Sequence, residues 1–174
     1  LREGLLWQEA EVFNTGDDEL PLGYGIHPWF NLPLRSGSRG DAVVGVPAAA
    51  RWELEACIPT GRVLPVERDF DLRKPRRIEG LTLDDVYTQL EYQKGWGIAT
   101  LADPSGLKLE VGFDKAFREL VVYAPPQRDV ICFEPYTCTT NALNLQPDGV
   151  DAGLLVLQPK QSWRGMIYFA AQAN

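Results

Sequence analysis

Apolar and polar residues alternate with a period of two in short runs along this chain, and no long run keeps a helical period. Leu5-Leu6-Trp7 and Ala10-Glu11-Val12-Phe13 predict a first strand. Asn14 to Glu19 predicts a turn, because Asn, Gly and Asp tolerate left-handed or side-chain-capped backbone. Leu20 to Ile26 predicts a second strand that delivers His27 at its end. Short strands follow at Val43 to Val46 and Arg51 to Ile58. In the latter, Trp52, Leu54 and Ala56 alternate with Arg51, Glu53 and Glu55, a half-buried pattern. Ile98 to Ala102 and Leu107 to Val111 flank Asp103-Pro104-Ser105-Gly106, which suits a type I turn. In that hairpin Leu107, Leu109 and Val111 are expected to face inward, with Lys108 and Glu110 in water. Ala116 to Ala124 predicts a strand ended by Pro125-Pro126. Gly153 to Gln158 and Trp163 to Ala171 close the chain as two more. The segments 34–41 and 67–79 are polar and charged and read as surface loops.

Thirteen prolines and sixteen glycines punctuate these runs. Short strands between frequent turns predict an all-β, antiparallel β-sandwich, with residues 1–174 as a single domain. The balance of 17 basic against 24 acidic residues gives a net charge of −7, and without a basic patch it argues against a nucleic-acid partner. No apolar run is long enough to cross a membrane, and no signal-peptide pattern is visible. Cys57, Cys132 and Cys138 are an odd number without metal-site spacing, and the chain has one histidine. The expectation is no bound metal, no disulfide and free thiols in a reducing cytoplasm.

Two stretches carry candidate chemistry. Gly23-Tyr24-Gly25-Ile26-His27-Pro28-Trp29-Phe30-Asn31 holds the histidine between glycines and a proline, with aromatic residues on both sides. Glycine accepts backbone angles that other residues avoid, and Pro28 restricts its own φ and the conformation of His27. The imidazole is therefore expected to be held in one geometry, although a histidine satisfied at a turn fits the same residues. Far downstream, Val130-Ile131-Cys132-Phe133-Glu134-Pro135-Tyr136-Thr137 places a carboxylate inside an apolar run. On a strand Ile131 and Phe133 point one way, and Cys132 and Glu134 the other. A charge on a buried face is costly unless it is paired or working. Tyr136, Thr137 and Asn141 favour a polar cleft over a solvated face.

Gly-x-Gly-x-His-Pro-Trp-Phe-Asn-Leu from Gly23, Pro59-Thr60-Gly61 with Phe70-Asp71-Leu72-Arg73, Leu83-Asp84-Asp85-Val86-Tyr87, and Phe133-Glu134-Pro135-Tyr136-Thr137 occur in this order. Together they resemble the motifs of the aldose 1-epimerase (galactose mutarotase) family. The resemblance implies a mutarotase-like sandwich that interconverts the α and β anomers of a hexose and needs no cofactor. It implies His27 as the acid and Glu134 as the base. Asp84 would hold sugar hydroxyls, with Asp85 as the competing choice. Trp29 and Tyr24 would be walls of the site, although core packing is the alternative for both. Trp29 stands where the family more often has tyrosine.

Family members are longer. This chain corresponds to their C-terminal part, as a fragment or a natural short member, and a fragment is expected to expose an apolar side of its sheet. The absent region would carry a second substrate-contacting histidine and a basic or amide residue. Two other functions stay open. One is a non-catalytic carbohydrate-binding module. The other is an epimerase of hexose 6-phosphates, for which Arg35, Arg39 and Arg73 are candidate phosphate ligands. A monosaccharide is the expected partner, and the oligomeric state is open. His27 and Glu134, 107 residues apart, are required to line one cleft with Asp84 at its rim.

Overall fold

A computed structural model of the chain describes residues 5–173; residues 1–4 and 174 of the predicted domain lie outside that range. Among the described residues, fourteen strands and one short α-helix follow in order, with 3-10 turns at Arg39–Asp41 and Arg68–Phe70. They are β1 Leu5–Phe13, β2 Leu20–Leu22, β3 Trp29–Asn31, β4 Val43–Gly45, β5 Ala48–Glu55, β6 Ile58–Pro65 and β7 Arg76–Arg77. Then come β8 Leu83–Leu90, β9 Trp96–Ala102, β10 Leu107–Asp114, β11 Glu119–Ala124, β12 Val130–Tyr136, α1 Ala142–Leu145, β13 Leu155–Leu157 and β14 Ser162–Ala173.

One six-stranded sheet has the order β1-β14-β10-β9-β4-β7, and the second has β3-β12-β11-β8-β5-β6. A third pairing joins β13 to β2. The strand pairs are antiparallel, as the short alternating runs predicted. The core lies between the two large sheets, where Val111, Phe113 and Ile167 of the first pack with Leu120, Val122, Ile131 and Phe133 of the second. Burying each such side chain contributes about 1.5–3 kcal/mol. An exposed pair such as Arg164–Glu11 contributes about 0–1 kcal/mol, so packing rather than surface charge holds the sheets together.

The central hairpin has the predicted turn, with the Gly106 amide donating to the Asp103 carbonyl at 3.1 Å. Asp103 also accepts bonds from Ser105 and from the Arg35 and Ser36 amides. Burial of this carboxylate raises its pKa, but these donors outweigh it and hold the value down at about 2. Asn14 closes the first turn, bonding Asp18, Leu157 and Gly16.

Three local expectations are corrected. Leu20 to Ile26 is not one strand: β2 stops at Leu22, and only Gly25 bridges onward, to Tyr136. Arg51 to Ile58 is a hairpin corner, because Ala56 and Cys57 both take positive φ (48° and 66°) and turn β5 back into β6. Such a turn usually carries Asn or Gly, so its sequence gave no signal. The charged excursion 67–79 is mostly exposed but pinned at two points, Leu72 at 1% and Ile78 at 0% exposure.

Candidate active site

The second sheet turns one face to the core and presents the other to the site. Strand β12 puts Ile131 and Phe133 in the core, so Cys132, Glu134 and Tyr136 share the opposite face. Strand register then assembles neighbours that lie far apart in sequence. Trp29, Cys132, Tyr123 and Asp84 are successive cross-strand partners, and Glu134, Val121 and Val86 form the next row on that face.

His27 lies between the Gly25 bridge and β3, just before Trp29. Its ring stacks on Trp29, with centroids 5.3 Å apart and planes 17° from parallel. Trp29 in turn meets the Tyr123 ring edge-on at 5.9 Å. In this position Nε2 of His27 is 3.1 Å from Oε1 of Glu134. The imidazole is 48% exposed and the carboxylate 3%, so the histidine covers the glutamate and meets solvent itself. The other carboxylate oxygen accepts a 2.6 Å bond from the Tyr136 hydroxyl.

The electrostatics of Glu134 follow from these contacts. Burial pushes its pKa above the ordinary carboxylate value. The Tyr136 bond and the nearby His27 pull it down, and the charge of Asp84 adds to the upward push. Burial and the Glu134 carboxylate push the Tyr136 hydroxyl up, so Tyr136 stays a donor. A buried base with a raised pKa, in contact with a half-exposed imidazole, can exchange protons with a ligand bound over the pair.

The glycines beside His27 serve a different purpose from the one expected. Neither Gly23 nor Gly25 has positive φ. A Cβ on Gly25 would come 2.2 Å from the Tyr136 ring, and one on Gly23 would come 2.8 Å from Sγ of Cys138. They are glycines because other groups approach closely there.

A sequence profile of the aldose 1-epimerase family matches residues 1–170. The chain belongs to the aldose 1-epimerase family. Solved structures share its fold. A galactose mutarotase-like protein from Clostridium acetobutylicum is 21% identical with a TM-score of 0.84, over 97% of this chain and 52% of that one. A galactose 1-epimerase from Lactobacillus acidophilus is 20% identical with a TM-score of 0.73, over 98% and 54%. An aldose epimerase homologue from C. elegans is 18% identical with a TM-score of 0.79, over 99% and 57%. The chain therefore spans about half the length of the structures it matches.

Within this aldose 1-epimerase fold, the two adjacent aspartates have parted. Asp84 is exposed on the site face, where the Cys57 thiol approaches its Oδ2 at 3.7 Å. Asp85 turns inward, 3.4 Å from the Arg51 guanidinium, which lies over the Phe70 ring. Tyr24 is not a wall of this site. Its ring packs against Trp163 and Phe117, at 5.3 and 6.2 Å, and its hydroxyl accepts a bond from Gln8. Side-chain alternation along Gly23–Gly25 could not reveal this, because these residues leave the sheet. In the sequence Tyr136 marks a polar cleft; in the structure its hydroxyl bonds the Glu134 carboxylate. The period-two spacing Glu134–Tyr136 was the available signal, since it puts both on one face.

His27 is half exposed on the face of the second sheet, whereas the Glu134 carboxylate is buried. The pocket of about 280 Å³ lined by Leu22, Gly23, Cys138, Asn141 and Leu154 includes neither of them. Among the described residues, no helix is long and apolar enough to cross a membrane.

Proposed function

We propose that this chain carries the acid/base pair of an aldose 1-epimerase acting on a free hexose such as glucose or galactose. Interconverting the anomers requires a proton to leave the C1 hydroxyl and another to reach the ring oxygen. The ring then opens, C1 turns about its bond to C2, and closure on the other face reverses both transfers. In this reading Glu134 accepts the hydroxyl proton and His27 donates to the ring oxygen. Each such transfer typically contributes about 10²–10⁴-fold.

The observation that carries the reading is the 3.1 Å contact between His27 Nε2 and Glu134 Oε1. The two sugar oxygens share one carbon, so their partners must converge on one small volume. Asp84, exposed at the rim, would accept hydrogen bonds from sugar hydroxyls. The exposed Trp29 ring would offer an apolar face to the pyranose C–H groups. A phosphorylated hexose has weaker support: Arg73 is held by Asp71, and Arg39 by the carbonyls of Ala124 and Pro125.

The test is magnetisation exchange between the α and β anomers of galactose and glucose, measured by NMR with the wild-type chain and with Glu134→Gln. Exchange faster than in buffer, lost in Glu134→Gln, is the expected result. Equal acceleration by both proteins would overturn the assignment of the base. Sugar binding without any acceleration would favour the carbohydrate-binding alternative, which the half-length coverage keeps in view.

A further inference from the structure

We propose that Cys132, His27 and Glu134 together bind a soft divalent transition metal, Zn²⁺ or Cd²⁺, and that the bound metal excludes sugar from the site. Sγ of Cys132, an imidazole nitrogen of His27 and a carboxylate oxygen of Glu134 all lie within 4.8 Å of one another. Spacing along the chain argued against a metal, but the sheet supplies what spacing did not. Cys132 and Glu134 are alternate residues of β12 and share a face, and Trp29, the cross-strand partner of Cys132, carries His27 over them.

The donor set selects the metal. Thiolate, imidazole and carboxylate are each ligand types that zinc takes, whereas Mg²⁺ and Ca²⁺ want several oxygens and would find one carboxylate here. Zinc bonds of about 2.0–2.3 Å put neighbouring ligands roughly 3.4 Å apart in a tetrahedron. Nε2 of His27 and Oε1 of Glu134 already stand 3.1 Å apart, so the closing needed, up to roughly an ångström, is towards Sγ of Cys132. His27 can supply that movement, because it is half exposed and lies on a connecting segment rather than in a strand. Glu134 is already oriented by Tyr136 through its second oxygen, the kind of support that ligating carboxylates commonly have.

On binding, the Cys132 thiol gives its proton to solvent and its sulfur donates an electron pair to the metal. His27 and Glu134 each donate a pair, and a water fills the fourth position. No oxidant or reductant is involved. The imidazole nitrogen and carboxylate oxygen so occupied are those assigned above to the sugar, so metal and sugar are mutually exclusive. That competition rests on the proposed function; the metal site does not.

Calorimetric titration with ZnCl₂ and with MgCl₂ tests the site, together with the absorption spectrum of the Co²⁺-loaded protein. The expected result is one Zn²⁺ per chain, no Mg²⁺ binding, and a near-ultraviolet thiolate-to-cobalt charge-transfer band. Cys132→Ser and His27→Gln should each weaken Zn²⁺ by at least about tenfold, and Cys132→Ser should abolish the band. Cys138→Ser should leave both unchanged. Since Cys132 is fully buried and its variant can fail to fold, His27→Gln at the exposed side keeps the test decisive. Zinc affinity that survives both substitutions, or no zinc binding at all, would overturn the site. Cys132-dependent binding that saturating galactose fails to weaken would leave the metal site standing and overturn the shared occupancy.

Discussion

Gly25 and Tyr136 are matched in shape: the Tyr136 ring lies where a side chain at position 25 would begin, 2.2 Å from an ideal Cβ. The bridge between these residues lets the ring pass over Gly25 and bring its hydroxyl to Glu134. Gly25→Ala should therefore displace the ring, at about 1–3 kcal/mol of stability, and break the bond to Glu134. Tyr136→Phe keeps the ring and removes the bond alone. Denaturation midpoints and anomer exchange measured on both variants separate the two effects. Exchange should fall in both, and stability should fall more in Gly25→Ala.

The pH profile of anomer exchange should show Glu134 at work. The base acts only when ionised, and burial raises its pKa, so the acid limb should lie above the ordinary carboxylate range. Tyr136 favours the charged form and Asp84 opposes it. Tyr136→Phe should move the limb to higher pH, and Asp84→Asn should move it to lower pH. Shifts in the same direction would contradict this account of the electrostatics.

The neighbouring aspartates should respond in opposite ways to the same substitution. Asp84→Asn alters an exposed residue at the rim and should raise KM while leaving the unfolding midpoint almost unchanged. Asp85→Asn leaves the partly buried Arg51 guanidinium without its counter-charge and should lower the unfolding midpoint. Steady-state kinetics and urea denaturation on the pair of variants check both halves.

Glu119 should make the protein less stable as pH rises. It is fully buried, and burial pushes its pKa from 4.5 to about 7 despite bonds from Trp52, Thr88 and Arg118. Because the folded chain holds this proton more tightly than the unfolded chain, the contribution of Glu119 to stability is fully present below about 4.5 and is lost as pH rises through about 7. The loss is at most about 3 kcal/mol. Glu119→Gln should remove this part of the decline, measured as the difference in denaturant stability between pH 5 and pH 8.

Local chemistry is legible in the chain, and the contacts between distant segments are not. The alternation of Ile131, Cys132, Phe133 and Glu134 determined which side chains of β12 face the core, because neighbouring residues of any strand point to opposite faces. Asp103, Pro104 and Gly106 determined the central turn through their own backbone preferences. The ordered motifs were enough to indicate the family. By contrast, the turn at Ala56 and Cys57 is made by residues with no preference for positive φ, so the surrounding pairing of β5 with β6 imposes it. Tyr24 left the candidate site because the chain departs from the sheet at Gly23, and its ring meets Trp163, 139 residues away. The reach of Tyr136 over Gly25 follows from the bridge between those two residues, and the convergence of His27 on Glu134 and the place of Cys132 beside them follow from how β3 pairs with β12. A one-residue slip in that pairing would turn the same side chains to the other face. That register is set by burial of the whole inter-sheet core, a property of the folded sandwich that no single stretch of the sequence contains.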